Sequence, residues 1–421
     1  MKNNAARKLR QVPVGYLRVG VDPHKKRHVA VTMTEDFLVQ GKFKFDNTRN
    51  GFEEALERAR ADMEKAGCHG VIFAIEAASH LWRNFAYFLD EKGIFFRLIN
   101  PFSLKRRREG KDLNRRKNDF RDAEVAAQLL CTGEFTETTL PQGVYAELRS
   151  TYNAYRRMVK ERSRLINLLK GLLDGLFPEF TQVFKDLSGQ TALRVLSVCP
   201  IPGLISVMTE DEFMKFVREG YQGRLMIGKL LALHYAARHS SGIRVAARSV
   251  SFEVSLLVER LCLVGRHIRQ IEQTLARLVD EAEEGKYLLS ITGLGYISVA
   301  GLLAELGSFR SYHNARQMIK MAGSNPTESE SAGKRKSRTP MSKKGRPGLR
   351  HCGWMAVVSL LRRNPDFRAW AKRLRERPAH ANPLSGREIV GAGINKLLRV
   401  GFALVKKQTF YQTPQVARLV S

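Results

Sequence analysis

Over the first third of the chain, apolar positions come in short β-type blocks. Tyr16 to Val21 (YLRVGV) is one such block and ends at Asp22. A second strand is predicted over His28 to Thr34, a turn at Glu35-Asp36, and a third strand over Val39 to Phe45. Two hairpin-like connections of this kind imply three antiparallel strands. Asn47-Thr48 can cap a helix running through about Ala66. The unbroken apolar block Gly70 to Ile75 predicts a central strand ending at Glu76, because a strand covered on both faces needs no polar alternation. A helix over roughly His80 to Asp90 and a strand over Phe95 to Ile99 follow, with Asn100-Pro101 read as the stop. A basic loop then leads into a helix from about Lys117 to Cys131, where Ala123, Ala126 and Ala127 would let it lie close against a sheet.

The order β-β-β-α-β-α-β-α is that of a ribonuclease H-like (RuvC-like) mixed sheet with helices, and it is assigned to residues 12–140. After Pro141 the rhythm changes. Tyr145 to Leu176 keeps a three-four spacing broken at Arg162, and Val250 to Leu278 alternates four and three without a miss. Heptads sustained this long predict a coiled coil, paired within the chain or between subunits. This segment is placed at 141–285, with a small helical insert at about 177–248 that carries a capping box at Thr209 to Glu212. The remainder, 286–421, is expected to be a mainly helical domain: helices over Tyr296 to Leu306, Leu349 to Arg363 and Ser385 to Lys406, with a break at Arg375 to Pro383.

Composition adds a partner. The net charge is +30 with a pI near 10.2, a self-repulsion that a bound polyanion relieves, so nucleic acid is the expected partner. With 43% apolar residues and no run approaching the ~18 residues of a membrane span, no membrane association is expected. Five scattered cysteines without a Cys-x-x-Cys pair argue against disulfides and zinc. Residues 1–11 show no secretory signal, and a cytoplasmic location is expected, associated with the bacterial nucleoid when acting.

The candidate chemistry lies in four carboxylates. Asp119 and Asp122 are three apart and share one helix face. Asp22 and Glu76 close the first and fourth strands, which lie side by side in this fold. Carboxylates gathered this way suit two divalent ions ~3.5–4 Å apart, one activating the attacking oxygen and one stabilising the leaving oxygen. Lys105, Arg106, Arg107, Arg108, Lys111, Arg115, Arg116 and Lys117 precede the acidic helix as a candidate phosphate-binding stretch. Gly293 and Gly295, in Ser290-Ile291-Thr292-Gly293-Leu294-Gly295 before an apolar helix, resemble a helix-hairpin-helix that offers backbone N–H groups to a phosphate. Further on, Lys334, Arg335, Lys336, Arg338, Lys343 and Lys344 crowd a window without acids after Glu330. Ser324, Ser329, Ser331, Ser337 and Ser342 are interspersed there. A serine among cations is a candidate nucleophile, but composition selects none of the five.

Taken together, these motifs resemble the transposases of the IS-one-ten class of insertion sequences, also described as bridge-RNA-guided recombinases. The resemblance rests on Gly20-Val21-Asp22-Pro23-His24-Lys25, Glu76-Ala77, Asn100-Pro101 and Lys117-x-Asp119-x-x-Asp122-Ala123 near one end. Near the other it rests on Ile291-x-Gly293-x-Gly295, Phe309, Ala322-Gly323-x-x-Pro326, Ser331, Ser342-Lys343-x-Gly345 and Leu349-Arg350. It implies a RuvC-like domain whose acids Asp22, Glu76, Asp119 and Asp122 bind Mg2+, two ions per site, with Mn2+ able to substitute. It also implies a transposase domain in which Ser331, five residues after Pro326 and eleven before Ser342, is the nucleophile. Such proteins pair a structured noncoding RNA with target and donor DNA and exchange strands through a phosphoserine link. A homo-oligomer, dimer or tetramer, with composite sites is expected. The family's serine is usually followed by glycine, whereas here Ala332 intervenes before Gly333, which leaves Ser329 as a rival. Three alternatives remain open: a RuvC-like endonuclease using metal-activated water, a DNA invertase without guide RNA, and a nucleic-acid-binding protein without chemistry.

Overall fold

The structure, a computed structural model, describes residues 7–111, 118–136, 140–327, 330–331, 334–335, 339–378 and 382–412. It divides into two compact units, Met1–Leu140 and Pro141–Ser421.

The first unit contains β1 (Tyr16–Asp22), β2 (Arg27–Met33), β3 (Val39–Asp46), α1 (Arg49–Lys65), β4 (Gly70–Glu76), α2 (Arg83–Glu91), β5 (Phe96–Ile99), α3 (Pro101–Lys111) and α4 (Asp119–Cys131). The sheet order is β3-β2-β1-β4-β5. β1 is antiparallel to β2 and β2 to β3, while β1, β4 and β5 run parallel. This is the ribonuclease H-like α/β arrangement expected from the order of elements. Side chains along β4 alternate between two cores, as strand geometry requires. Val71, Phe73 and Ile75 join Phe45, Phe52 and Phe85 on one face, and Ile72 and Ala74 join Val125, Ala126 and Leu129 of α4 on the other. Each large side chain buried in this way contributes roughly 1.5–3 kcal/mol. Thr48 caps α1, its side chain accepting from the Gly51 N–H at 3.1 Å.

Asn100-Pro101 ends β5 at Ile99, as read, and also opens the next helix. The Asn100 side chain accepts from the Phe102 N–H at 2.9 Å, and Pro101 opens α3. Proline lacks only a donor that a first helical turn leaves unused, so the same dipeptide can stop a strand and start a helix. About half of the expected basic loop is therefore helical.

In the second unit, α5 (Gly143–Leu176) and α11 (Ala247–Glu281) pack antiparallel. The Ile243 N–H donates to the Gly175 carbonyl at 2.9 Å, and Arg260 pairs with Glu161 at 3.0 Å. Leu165, Leu169 and Leu173 share one core with Val254, Leu257, Leu261 and Ile268. The heptad seam is thus filled within the chain and makes no statement about subunit number. Between the two long helices lie α6 (Phe180–Val183), α7 (Gln190–Val198), α8 (Pro202–Ser206), α9 (Glu210–Arg218) and α10 (Ile227–Arg238). The capping box of α9 forms, with the Thr209 N–H donating to Glu212 at 2.8 Å and the Glu212 N–H to Thr209 Oγ1 at 3.3 Å.

The rest comprises α12 (Gly285–Leu289), α13 (Tyr296–Leu306), a 3-10 turn (Phe309–Ser311), α14 (Ala315–Ala322), β6 (Glu330–Ser331), β7 (Lys334–Arg335), α15 (Pro347–Arg363), α16 (Pro365–Arg375) and α17 (Gly386–Lys407). α16 went unread in the sequence. Asn364 caps it by accepting from the Asp366 and Phe367 N–H groups, and Pro365 takes its first position. Among the described residues, no helix is long and apolar enough to cross a membrane.

Candidate active site

β1 and β4 are parallel neighbours with Val21 opposite Ile75, so the residues that follow, Asp22 and Glu76, emerge side by side at one sheet edge. α4 brings the other two acids there. Its N-terminus is set by Asn118, whose side chain accepts from the Phe120 N–H at 3.0 Å. Asp119 and Asp122 fall in its first turn, where the helix dipole favours negative charge. The close approach of α4 to β1 depends on Gly20, because a Cβ there would lie 1.9 Å from the Ala123 carbonyl oxygen. Ala123, Ala126 and Ala127 are fully buried on the same side.

Asp22 records the meeting of all four acids. Burial pushes its carboxyl above the ordinary value. Beyond that, His24 lowers it, the Asp122 and Asp119 charges raise it, and a hydrogen bond with Glu76 lowers it. Two carboxyl groups can share a hydrogen bond only through a proton, so at neutral pH a cation is the natural replacement. The donor set is oxygen-rich, as a hard divalent ion requires. These residues fit such an ion.

Two further side chains complete the edge. Arg108, from α3, is directed onto Asp122: its Nη1 lies 2.7 and 2.8 Å from the two carboxylate oxygens. That places one of the expected phosphate-binding cations in a half-buried ion pair. His24 lies with Nε2 3.7 Å from Asp119 and Nδ1 3.9 Å from Asp22. Its own N–H donates to His28 Nδ1 at 3.0 Å. His28 is buried against Phe45, Phe52 and Phe85, and burial lowers its pKa to about 4, which keeps the ring neutral and able to accept. Neither contact was read from the sequence. The signals for His24 were its position two residues beyond Asp22 and its place in the Gly20–Lys25 motif.

The remaining predicted positions are dispersed. Lys105 pairs with Glu109 at 3.8 Å, Arg106 lies 4.7 Å from the Phe102 ring centroid, and Arg107 lies 3.9 Å from Glu134. Lys111 ends α3. Arg115, Arg116, Lys117, Ser329, Lys336 and Arg338 lie outside the described residues. Gly293 has φ +99°, and its carbonyl accepts from Ser359 Oγ at 2.7 Å, so it tucks the turn against α15. Gly295 is the N-cap of α13 and faces open space.

Ser331 sits on β6, its backbone paired with Lys334 of β7, and Glu330 is paired with Arg335. The base of this hairpin is built from the motif residues on either side. Thr327 N–H donates to the Pro340 carbonyl at 2.9 Å, and Ser342 N–H to the Asn325 carbonyl at 2.9 Å. Ser342 Oγ also donates to Asn325 Oδ1 at 2.8 Å. Gly323 and Gly345 touch: a Cβ on Gly345 would lie 2.4 Å from the Gly323 nitrogen. Lys343 bonds back to Gly323 from a left-handed conformation, φ +54°, and Lys344 follows it.

A transposase family model of the DEDD type associated with IS110 matches residues 19–178, and a second, for the transposase IS116/IS110/IS902 family, matches residues 285–372. Both sites fall inside those spans. The chain belongs to the IS110 family of transposases. It is 24% identical to a protein of Streptomyces coelicolor described as a candidate mini-circle transposase for IS117, over 85% of this chain and 87% of that one. It is 22% identical to an uncharacterized protein of insertion element IS116 from Streptomyces clavuligerus, over 87% and 90% of the two chains. A probable family 20 transposase of Pseudomonas aeruginosa is 24% identical over 81% and 86%. Membership makes DNA the substrate and transposition the activity of this transposase, and a DEDD domain implies divalent-metal use.

Proposed function

We propose that this transposase cuts and rejoins DNA through a phosphoserine link at Ser331, with Mg2+ held by Asp22, Glu76, Asp119 and Asp122. The observation that carries the reading is the convergence of acids at one sheet edge, where Asp22 and Glu76 end neighbouring parallel strands and the first turn of α4 brings Asp119 and Asp122. Such a cluster is costly without a cation. When bound, the ions supply positive charge for the oxygens that become more negative as a phosphodiester is exchanged.

The chain's own residues do the rest. Ser331 Oγ gives up its proton and forms a bond to phosphorus, the ester bond to one sugar oxygen breaks, and that oxygen takes up a proton. The phosphoserine ester keeps the energy of the broken link, so a strand hydroxyl can attack it and restore Ser331 without ATP. Lys334, Arg335, Lys336 and Arg338 follow Ser331 in sequence, and cations of this kind can stabilise the charge that develops on phosphorus oxygens. The net charge of +30 leaves room for a second polyanion besides DNA, which we read as a structured guide RNA bound by a homo-oligomer.

The test is Ser331→Ala with labelled DNA on denaturing gels. The covalent protein–DNA species should disappear while RNA and DNA binding persist. An adduct surviving the change would sink the serine assignment, and cleavage without any adduct in the wild type would favour a plain RuvC-like nuclease. Sequencing of copurified RNA separates a guided recombinase, which should yield one discrete noncoding RNA, from a guide-free invertase.

A further inference from the structure

We propose that His24 is a ligand of the same metal site, and that its nitrogen tilts the site toward Mn2+ or Co2+ over Mg2+. The inference rests on the metal role proposed for the acids and goes beyond it in naming a fifth ligand and an ion preference.

One donor atom each from Asp22, His24 and Asp119 lie within 4.8 Å of one another. The 3.7 Å separation of Nε2 from the Asp119 carboxylate oxygen is too long for a hydrogen bond. It approaches the spacing of neighbouring donors around one ion, about 3 Å for bonds of about 2.1 Å. The ring is also oriented as a ligand would be. Nδ1 lies 3.2 Å from the Asp22 carbonyl oxygen, the partner that a Nδ1–H would take. That tautomer, assigned from the hydrogen bond, leaves the Nε2 lone pair on the side of Asp119. Metal-bound histidines characteristically donate their other ring N–H to a backbone carbonyl in this way.

The backbone is held as well. Pro23 fixes φ between Asp22 and His24, and the His24 N–H is tied to the buried His28. The side chain remains 41% exposed, so an ion can reach it from solvent. Asp122, by contrast, already holds Arg108. The sub-site ready to accept an ion without side-chain exchange is therefore Asp22–His24–Asp119. Magnesium keeps to oxygen ligands, whereas imidazole strengthens binding of first-row transition ions, Mn2+ less than Co2+.

The experiment is Mn2+ titration and pulsed electron paramagnetic resonance on the full-length protein, with His24→Ala, His24→Gln and Asp119→Asn variants checked for folding by circular dichroism. Wild type should show a 14N imidazole coupling to bound Mn2+. Both His24 variants should lose it, with Mn2+ affinity about tenfold weaker and Mg2+ affinity changed less than about threefold. Mn2+ bound without a nitrogen coupling, or a coupling that survives in both His24 variants, overturns the role of His24 and leaves the acid site standing. No Mn2+ binding that depends on Asp119 overturns the acid site and this inference together.

Discussion

Asp22 and Glu76 close two adjacent parallel strands buried on both faces, and α4 is seated on β1 closely enough that only glycine fits at position 20. Ser331 lies instead on a strand of two residues, paired with Lys334 and standing on a base of close-packed glycines. The contrast follows from what each group must resist. Carboxylates brought together repel one another, and only a scaffold with no room to relax keeps them converged until a cation arrives. A neutral serine carries no such penalty, so under the proposed mechanism a short hairpin with a fixed base suffices for the nucleophile. Charge would then determine which half of the proposed chemistry needs the rigid sheet.

The largest expected effect breaks the acid half alone. Asp119→Asn should lower strand cleavage about a thousandfold at any magnesium concentration, since it removes a ligand rather than weakening a contact. Normal cleavage by that variant would refute the metal role. Next come paired glycine changes. Gly20→Ala should cost about 3 kcal/mol and abolish tight metal binding, because the new methyl must push α4 from β1. Gly345→Ala should cost about 2 kcal/mol by parting the hairpin base, lowering adduct formation while leaving metal affinity unchanged. A change in metal affinity in Gly345→Ala, measured by calorimetry, would show that the two regions are not independent.

Arg108→Met sharpens the comparison further. It leaves Asp122, 3% exposed, without its counter-charge, and should cost about 2 kcal/mol in metal-free thermal unfolding. Added Mg2+ should recover more stability in the variant than in wild type. Equal recovery would mean that Arg108 does not compete with the ion.

The smallest effect has the opposite sign. The Asp22 carboxyl is raised above its ordinary 3.8, so between the two values the folded chain keeps a proton that the unfolded chain has released. Stability therefore falls as pH rises through that window. At neutral pH Asp22→Asn should raise the metal-free Tm by about 2 °C and remove the additional stabilisation given by divalent ions. A lower Tm would show that the buried carboxylate is not a source of strain.

Much of this architecture is written locally. Strand blocks, the Thr48 cap, the Thr209 capping box and the heptads are read within a few residues of themselves, and they were sufficient to order the sheet and to put acids at the ends of its elements. The stretches read incompletely are those where one local pattern serves two outcomes. Asn100-Pro101 ends β5, as read, but also opens α3, and Asn364-Pro365 opens α16 where no helix was read. Heptads specify a partner but not which one, and here the seam closes between α5 and α11 of the same chain. Ser331 was selected by resemblance, because five serines in a basic window are chemically alike in sequence.

By itself, then, the sequence determined which residues carry charge, where most strands and helices lie, and that a polyanion is the expected partner, because those properties are local or additive. The tertiary structure decided who meets whom. It set Arg108 on Asp122, His24 between Asp22 and Asp119, and Gly20 beneath Ala123. His24 beside Asp119 and Gly20 beneath Ala123 join elements about a hundred residues apart, and Arg108 reaches Asp122 from the preceding helix; no spacing along the chain records such approaches.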